Sequence, residues 1–284
     1  MEPTVNVATT TTANTAQASG NDSKLPAPPK FDRVDSVIGT TDEKVSAAAA
    51  AATTTMKTMT TTKTTAPRVL QLHEWKEAAL SLAEAFADDH SCKYFLETPD
   101  TAHWSKEQKW DLHLKMMEYI TYAHLLKGLV VSAGPNYDCV ALWMPPGNNM
   151  DDYLTLFRSG MWRLNYLLSP EGKKRFFTEF LPLLHDTKTQ VLGADRDATS
   201  YYLVYLGTRP SGRGQGYARE VVEYVTAMAD AEGRACYLES SNVVNRGIYG
   251  RMGFEVRKQV YLQRDWVLVE LDIMVREPVR RAGV

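Results

Sequence analysis

Near residue 67 the chain changes from a polar, repetitive pattern to regular hydrophobic periodicity. Beyond that point, the spacing of apolar positions predicts helices over residues 75–86, 106–126, 216–232 and 245–252, and an aromatic-rich helical region over 150–185. Short apolar or alternating runs predict strands over residues 69–72, 128–132, 139–143, 201–206, 235–240, 254–262 and 266–275. Strands interspersed with helices indicate one α/β domain over residues 67–284.

The first 66 residues lack this periodicity. Thr and Ala dominate them, and Phe31 is their only aromatic residue. A segment of this composition cannot bury enough apolar surface to offset the entropy lost on ordering, so we predict a disordered tail over residues 1–66. Its start is not arginine-rich and holds no apolar signal-peptide core, which favours a disordered extension over an organelle signal.

Composition and charge limit the functional classes. With 44% hydrophobic residues and a net charge of −2, the chain can form a core and has no global charge that favours nucleic acid or an acidic membrane surface. No apolar run reaches the roughly 18 residues of a membrane span. Three widely spaced cysteines predict neither a disulfide framework nor a zinc site. We expect a cytoplasmic protein, with the nucleus as the alternative, that acts as a monomer or a homodimer without a metal ion, nucleic acid or membrane as partner.

The strongest local signal is a glycine-rich turn between a predicted strand and a helix, in the sequence YLGTRPSGRGQGYAREVVEYV. Gly212, Gly214 and Gly216 let the main chain approach a ligand closely and point successive N–H groups toward it. The start of the following helix adds unpaired donors and a partial positive charge, and Arg213 adds a full one. The turn therefore predicts a phosphate site.

Two common phosphate-binding motifs do not fit this turn. The pattern GxxxxGK[ST] matches Gly207 and Gly212, but Arg213 and Gly214 stand where Lys and Ser/Thr belong, so the hydroxyl that binds magnesium is missing. The dinucleotide pattern GxGxxG fails because Tyr217 replaces its third glycine. A ligand-free connection and an unrelated phosphate-binding protein stay open at this point.

The pattern that fits is [Q/R]-x-x-G-x-[G/A], met by Arg213, Gly216 and Ala218, and it resembles motif A of the GNAT superfamily of N-acetyltransferases. Further along, ACYLESSNVVNRGIYGRMGFEV resembles motif B of that superfamily, in which a strand leads to a short helix with Asn245 and Tyr249 on one face. Two such motifs in the family's order disfavour a ligand-free turn. Weaker similarities, in LAEAFADD and ALWMPPG, point to the puromycin N-acetyltransferase-like group and its fungal relatives.

The resemblance implies a GNAT fold, with a twisted, mixed, mainly antiparallel sheet and helices on both faces, and acetyl-CoA as the cofactor. It places the pyrophosphate on the turn and the pantetheine beside motif B. The cofactor-binding residues that it implies are Leu206, Gly207, Thr208, Arg213, Gly214, Gln215, Gly216, Tyr217, Ala218 and Asn245.

The resemblance also implies how the reaction proceeds, because in GNAT enzymes the amine attacks the acetyl thioester directly. It places an oxyanion donor on a strand bulge at residues 206–208, and it assigns to Tyr249 the proton for the departing thiolate. A Tyr249 that only packs its helix and an Asn245 that only caps it are the alternatives. For the general base we predict Glu239, late in the strand that faces the cofactor groove, and we assign no role to the scattered histidines.

A long insertion between Trp143 and Tyr201 bears on the substrate. Its aromatic residues either pack helices onto the sheet or line a pocket for a small, partly apolar amine: Tyr153, Phe157, Trp162, Tyr166, Phe176, Phe177 and Phe180. The loop that carries Glu97, Asp100 and Trp104 would close the other side of the pocket. We predict acetyl transfer to a primary amine of a small molecule. The alternatives are a protein or histone N-acetyltransferase, for which the chain lacks an acidic cluster, and a non-catalytic acyl-CoA-binding module.

Overall fold

The computed structural model describes residues 66–264 and 267–279. The tail that the sequence predicts over residues 1–66 lies, except for Ala66, outside the described residues. The description below therefore concerns the part of the chain in which the periodicity predicts helices and strands.

The described residues form one seven-stranded sheet in the order β1-β2-β3-β4-β5-β7-β6. Neighbouring strands are antiparallel except for β4 and β5, which are parallel. This confirms the predicted mixed, mainly antiparallel sheet. The strands are β1 (Arg68–Val69), β2 (Leu129–Ala133), β3 (Cys139–Met144), β4 (Tyr201–Thr208), β5 (Cys236–Ser240), β6 (Glu255–Arg264) and β7 (Val267–Arg276).

Helices cover both faces of the sheet. The α-helices are α1 (Trp75–Ala85), α2 (His90–Leu96), α3 (Lys106–Lys127), α4 (Tyr153–Ser159), α5 (Leu164–Leu167), α6 (Pro170–Lys173), α7 (Leu181–Leu192), α8 (Ala194–Thr199), α9 (Tyr217–Ala231) and α10 (Val244–Gly250). A π-helical segment, Lys174–Phe180, joins α6 to α7. Residues 144–200, called the insertion below, thus form α4 to α8, in agreement with the helical prediction.

Two hydrophobic clusters follow from the alternation of side chains along the strands. The first, which we call the α1/α3 face, joins α1, α2, α3 and part of the insertion to sheet residues such as Tyr237 and Ile273. The second, the α9/α10 face, joins α9 and α10 to residues such as Leu238 and Met274. Consecutive residues of β5 therefore point to opposite faces of the sheet.

Two elements differ from the sequence prediction for reasons that lie in side-chain hydrogen bonds. The strand predicted over 69–72 ends at Val69, and a 3-10 turn over Leu72–Glu74 begins at its last predicted residue. The Glu74 carboxylate fixes this turn, because it accepts from the Gln71 N–H at 2.8 Å and from the Arg68 guanidinium at 2.6 and 3.0 Å. The prediction also missed α2, which the Asp89 side chain caps by accepting from the Cys92 N–H at 3.0 Å.

Candidate active site

A gap opens between the two parallel strands at the centre of the sheet. β4 and β5 pair only from Tyr201 and Cys236 to Leu203 and Leu238, although β4 continues to Thr208. A cavity of about 1540 Å³ is lined by both strand ends, by the glycine-rich turn, and by residues of α2, the insertion and α10. Because these residues come from both faces of the sheet, the cavity reaches through the gap.

The glycine-rich turn forms one end of the cavity. Gly214 and Gly216 have φ angles of +79° and +85°, in the left-handed region that disfavours residues with a side chain. No heavy atom lies within 4 Å of the position that a Cβ would take at either glycine, so their outer surface faces open space. Within the described residues, the backbone N–H groups of 214–218 donate to no protein acceptor. A row of free N–H groups at the start of α9 fits the pyrophosphate of a coenzyme A thioester.

The predicted cofactor-binding residues of this region do not all reach the cavity. Arg213, Gly214, Gly216, Tyr217 and Ala218 line it, whereas Gln215 does not. The Arg213 side chain is exposed at the rim, and its Nε lies 3.4 Å from the Thr208 carbonyl oxygen. A guanidinium in this position is free to approach a phosphate.

The three predicted residues at the end of β4 line the cavity, but the bulge lies elsewhere. Leu206, Gly207 and Thr208 each pair regularly with β3. The extra residue of β4 is Val204, because Leu142 pairs with Tyr205 and Trp143 pairs with Leu203. The bulge expected at 206–208 is thus wrong in position: it lies just beyond the last pair of β4 with β5, where β4 begins to leave its neighbour.

Glu239 lies near the end of β5 and lines the cavity. It lies two positions after Tyr237 on the same strand, so both side chains lie on the α1/α3 face. Burial raises the pKa of Glu239 to about 7, although the phenols of Tyr202 and Tyr237 and the charge of Lys188 act in the opposite direction. None of the described residues donates a well-formed hydrogen bond to Glu239 Oε1. The carboxylate therefore has one buried oxygen free to accept a proton, and its pKa suits acid–base chemistry near neutral pH.

Tyr249 lies on the other face of the sheet. It belongs to the α9/α10 cluster, where its ring packs edge-on against Phe254 at a centroid distance of 5.8 Å, and it lines the cavity. Burial raises the pKa of its phenol above the usual value, so the hydroxyl keeps its proton at neutral pH. The cavity therefore holds a candidate proton acceptor on one face and a candidate proton donor on the other.

Asn245 also lines the cavity, one turn before Tyr249 on α10. The residue at the N-cap of α10 is Val243, and Asn245 lies inside the helix. The alternative that Asn245 only caps this helix is therefore wrong. Its side chain is partly buried at the cavity wall.

The structure adds residues that the sequence did not single out. Asp89 lines the cavity, and its second oxygen accepts from the Ser241 hydroxyl at 2.6 Å, which ties α2 to the end of β5. Lys188 of α7 lines the cavity and forms an ion pair with Asp197 of α8. An Asp before a helix is a recognisable N-cap signal, but no local pattern points to a contact across 152 positions, as between Asp89 and Ser241.

The aromatic residues of the insertion divide into two groups. Phe176, Phe177 and Phe180 line the cavity, with Phe95 of α2 against them at centroid distances of 5.0 Å from Phe176 and 5.5 Å from Phe180. The others lie on the surface away from the cavity lining: Tyr153, Phe157, Trp162 and Tyr166.

The loop expected to close the pocket does not do so. Glu97, Asp100 and Trp104 are absent from the cavity lining among the described residues. Asp100 instead accepts hydrogen bonds from the Ser169 hydroxyl at 2.9 Å and from the Glu171 N–H at 3.0 Å. Its carboxylate is used to hold the start of α6, so it is not available to an ammonium group.

The described ranges contain no cluster of side chains suited to a metal ion, and none of their helices has both the length and the apolar character of a membrane span. His113 and His124 are buried in the core, where each ring meets a backbone carbonyl. Burial lowers the pKa of His124 to about 4, which keeps it neutral.

Known proteins are similar to this chain in sequence. A family model described as the acetyltransferase (GNAT) family matches residues 185–254. A protein of Schizosaccharomyces pombe, named as an uncharacterized N-acetyltransferase, is 46% identical over 213 residues, which are 75% of this chain and 83% of the relative. The chain belongs to the GNAT family of acetyltransferases. This GNAT protein is thus an acyltransferase, and the typical donor in its family is acetyl-CoA.

Solved structures of GNAT proteins resemble the fold at low sequence identity. Arylalkylamine N-acetyltransferase 2 from Aedes aegypti is 15% identical with a TM-score of 0.47, over 74% of this chain and 97% of that chain. A Corynebacterium glutamicum structure described as "histone acetyltransferase HPA2 and related acetyltransferase" is 19% identical with a TM-score of 0.43, over 77% of this chain and 99% of that chain. These likenesses carry no argument about the acceptor of the acetyl group.

Proposed function

We propose that this GNAT enzyme transfers the acetyl group of acetyl-CoA directly to a primary amine of a small molecule. The observation that carries the proposal is the continuity of one cavity from the glycine-rich turn, with its free N–H groups, to Glu239, whose buried Oε1 has no well-formed hydrogen bond. One end suits the phosphates of the donor, and the other suits a proton-accepting step at the acceptor.

The residues of the chain have separate tasks in this proposal. The turn and the start of α9 bind the pyrophosphate through backbone N–H groups, with Arg213 at the rim. Acetyl-CoA supplies the acetyl thioester. Glu239 accepts the proton that the ammonium group of the acceptor must lose before its nitrogen becomes a nucleophile. Tyr249 holds the proton that the departing sulfur needs, on the face opposite Glu239.

The acceptor side of the cavity supports a small amine with an apolar body. Phe95, Phe176 and Phe180 form an aromatic wall between α2 and the insertion. The carboxylates of Asp151 and Asp186 also line the cavity and are exposed in it, so they favour a cationic ligand.

The test is thiol release from acetyl-CoA by the full chain, with three kinds of acceptor. These are a panel of small primary amines with alkyl or aromatic bodies, a lysine-rich histone-tail peptide, and buffer alone. We expect release that depends on a small amine, together with the mass of the acetylated amine. Release with the peptide only would replace this proposal by a protein acetyltransferase, and saturable acetyl-CoA binding without any turnover would replace it by a binding module.

A pair of variants sharpens this test. Phe177 lines the cavity and Phe157 lies on the surface outside it, yet both are phenylalanines of the insertion. We expect Phe177→Ala to raise the KM for the amine about tenfold, because burying an aromatic group against a small ligand contributes about 1–2 kcal/mol, while the KM for acetyl-CoA stays unchanged. Phe157→Ala should leave both constants unchanged. Equal effects of the two substitutions would contradict an acceptor site in the cavity.

A further inference from the structure

Lys188 brings a positive charge from the insertion to the face of the sheet that carries Glu239. Its Nζ lies 5.5 Å from the ring centroid of Tyr202 and 6.0 Å from that of Tyr237. The side chain is only 15% exposed, and it is held by an ion pair with Asp197 and by a 2.9 Å hydrogen bond to the Asp197 carbonyl oxygen. The ammonium group is thus fixed over two tyrosine rings of the central strands.

These two rings are the immediate surroundings of Glu239. Tyr202 and Tyr237 are register partners of β4 and β5, and their rings meet edge-on at 5.4 Å. Glu239 follows on the same face of β5, just where the two strands part. The phenols, the carboxylate and the ammonium group therefore form one cluster at the mouth of the gap.

We propose that Lys188 is a positioning residue of the insertion, which holds the Glu239 side chain as a carboxylate able to accept the proton of the acceptor amine. The inference rests on the proposed function, since it gives the insertion a part in the proton transfer that Glu239 performs. It also explains why the ion pair of Lys188 and Asp197 lies in the cavity wall.

The charges around Glu239 are arranged for this effect. The positive charge of Lys188 lowers the pKa of Glu239 and so opposes the burial that raises it. Burial raises the pKa of Tyr237, and both the Glu239 and Asp197 carboxylates add to that increase. Within the ion pair, Lys188 thus lowers the pKa of Glu239, whereas Asp197 raises the pKa of Tyr237.

Other groups that face this part of the cavity do not supply a fixed cation. In the sheet, burial raises the pKa of Tyr202 and Tyr237 above their usual range, so both phenols are neutral, and the β7 partner of Glu239 is the apolar Ile273. Asp89 at the start of α2 and Asp197 of α8 bear carboxyl groups, which supply no positive charge; His185 of α7 is exposed, and Arg213 lies at the turn. Among these described groups, Lys188 is the fixed cation that favours the charged form of Glu239, in addition to the phenols of Tyr202 and Tyr237.

The test compares pH profiles of kcat/KM for the amine, at saturating acetyl-CoA, in the full chain. The variants are Lys188→Met, Lys188→Arg, and the matched control Lys174→Met, which removes an exposed lysine of the insertion. We expect Lys188→Met to move the acidic limb to higher pH by about one unit, a shift typical of losing a nearby opposite charge. The activity should fall about tenfold at pH 6 and return to within about twofold of wild type above pH 9.

The other variants test whether the shift is caused by the loss of the Lys188 charge. Lys188→Arg keeps the charge and should restore the wild-type profile, and Lys174→Met should leave it unchanged. If Lys188→Met alone unfolds because Asp197 loses its partner, Lys188→Met with Asp197→Asn removes both charges. The double variant should show the same direction of shift. A Glu239 carboxyl resonance followed by ¹³C NMR, identified by its loss in Glu239→Gln, should move to higher pKa in parallel.

Two outcomes distinguish a failure of the role of Lys188 from a failure of Glu239 as the base. A loss of activity in Lys188→Met by the same factor at every pH, with an unshifted Glu239 resonance, would overturn the role of Lys188 and leave Glu239 as the base. An acidic limb that persists in Glu239→Gln would instead overturn Glu239 as the base, and the proposed proton transfer with it.

Discussion

At the scale of single residues, the buried phenol of Tyr249 is the group best placed to supply a proton on the α9/α10 face. Burial raises its pKa above the usual value, so it is a weak acid that keeps its proton until a thiolate develops nearby. In the proposed reaction the hydroxyl supplies a proton, whereas the packing contact with Phe254 is made by the ring.

We expect Tyr249→Phe to lower kcat about 10²-fold, the low end of the range for losing a general acid, while the KM for acetyl-CoA changes by less than about twofold. Steady-state kinetics at pH 7.5 measure both constants. Tyr261→Phe is the matched control, because that tyrosine is 51% exposed on β6. An unchanged kcat in Tyr249→Phe would leave Tyr249 as a packing residue only.

At the scale of elements, α9 depends on glycines with left-handed backbone at both ends. Gly216 at its start has a φ of +85° and Gly233 after its end has a φ of +66°, and both face open space. A β-branched side chain in this conformation costs at least about 1–2 kcal/mol of stability. The two sites therefore impose a similar strain on the same helix, but only Gly216 borders the cavity.

We expect Gly216→Val and Gly233→Val to lower the thermal stability by similar amounts, while only Gly216→Val weakens coenzyme A binding, by about tenfold or more. The reason is that the valine side chain would project into the space in front of the free N–H groups. Calorimetric titration of each folded variant with coenzyme A measures the effect. Equal affinities in the two variants would place the phosphates somewhere other than this turn.

The helices, strands and turns also show which features a sequence can predict. The turn, the strand before it and α9 are local, because glycines, a proline and an amphipathic pattern follow one another within residues 201–232. Their bounds were predicted to within a residue or two, as were those of α1 and α3. The sequence did not predict the bulge at Val204, because its position depends on the register between β3 and β4 rather than on β4 alone.

The sequence alone also did not predict side-chain contacts between elements that are distant along the chain. Lys188 reaches Tyr237, and Asp89 reaches Ser241, only after the insertion and α2 have packed onto the sheet. Asp100 shows the reverse case, since an acidic loop residue that looks available to a ligand is used by Ser169 and Glu171. In each case the partner is chosen by tertiary packing, which no local pattern records.

At the scale of the whole molecule, the parting of β4 and β5 joins the two faces of the sheet into one site. The turn and Tyr249 belong to the side of α9 and α10, whereas Glu239, Tyr202 and the insertion belong to the side of α1 and α3. In the proposed function, the donor and the acceptor approach from different sides and meet in the gap. The proposed function depends most on Glu239, because its carboxylate is the proposed proton acceptor.

The most direct test of this account is the pH dependence of kcat/KM for the amine in the wild type and in Glu239→Gln, at saturating acetyl-CoA. A base with a pKa of about 7 is protonated at lower pH, so the wild-type value should fall about tenfold for each pH unit below 7. Glu239→Gln should be slower by about 10²-fold or more and should lack this limb, with unchanged coenzyme A affinity. A Glu239→Gln enzyme with wild-type rates and the same acidic limb would contradict the account.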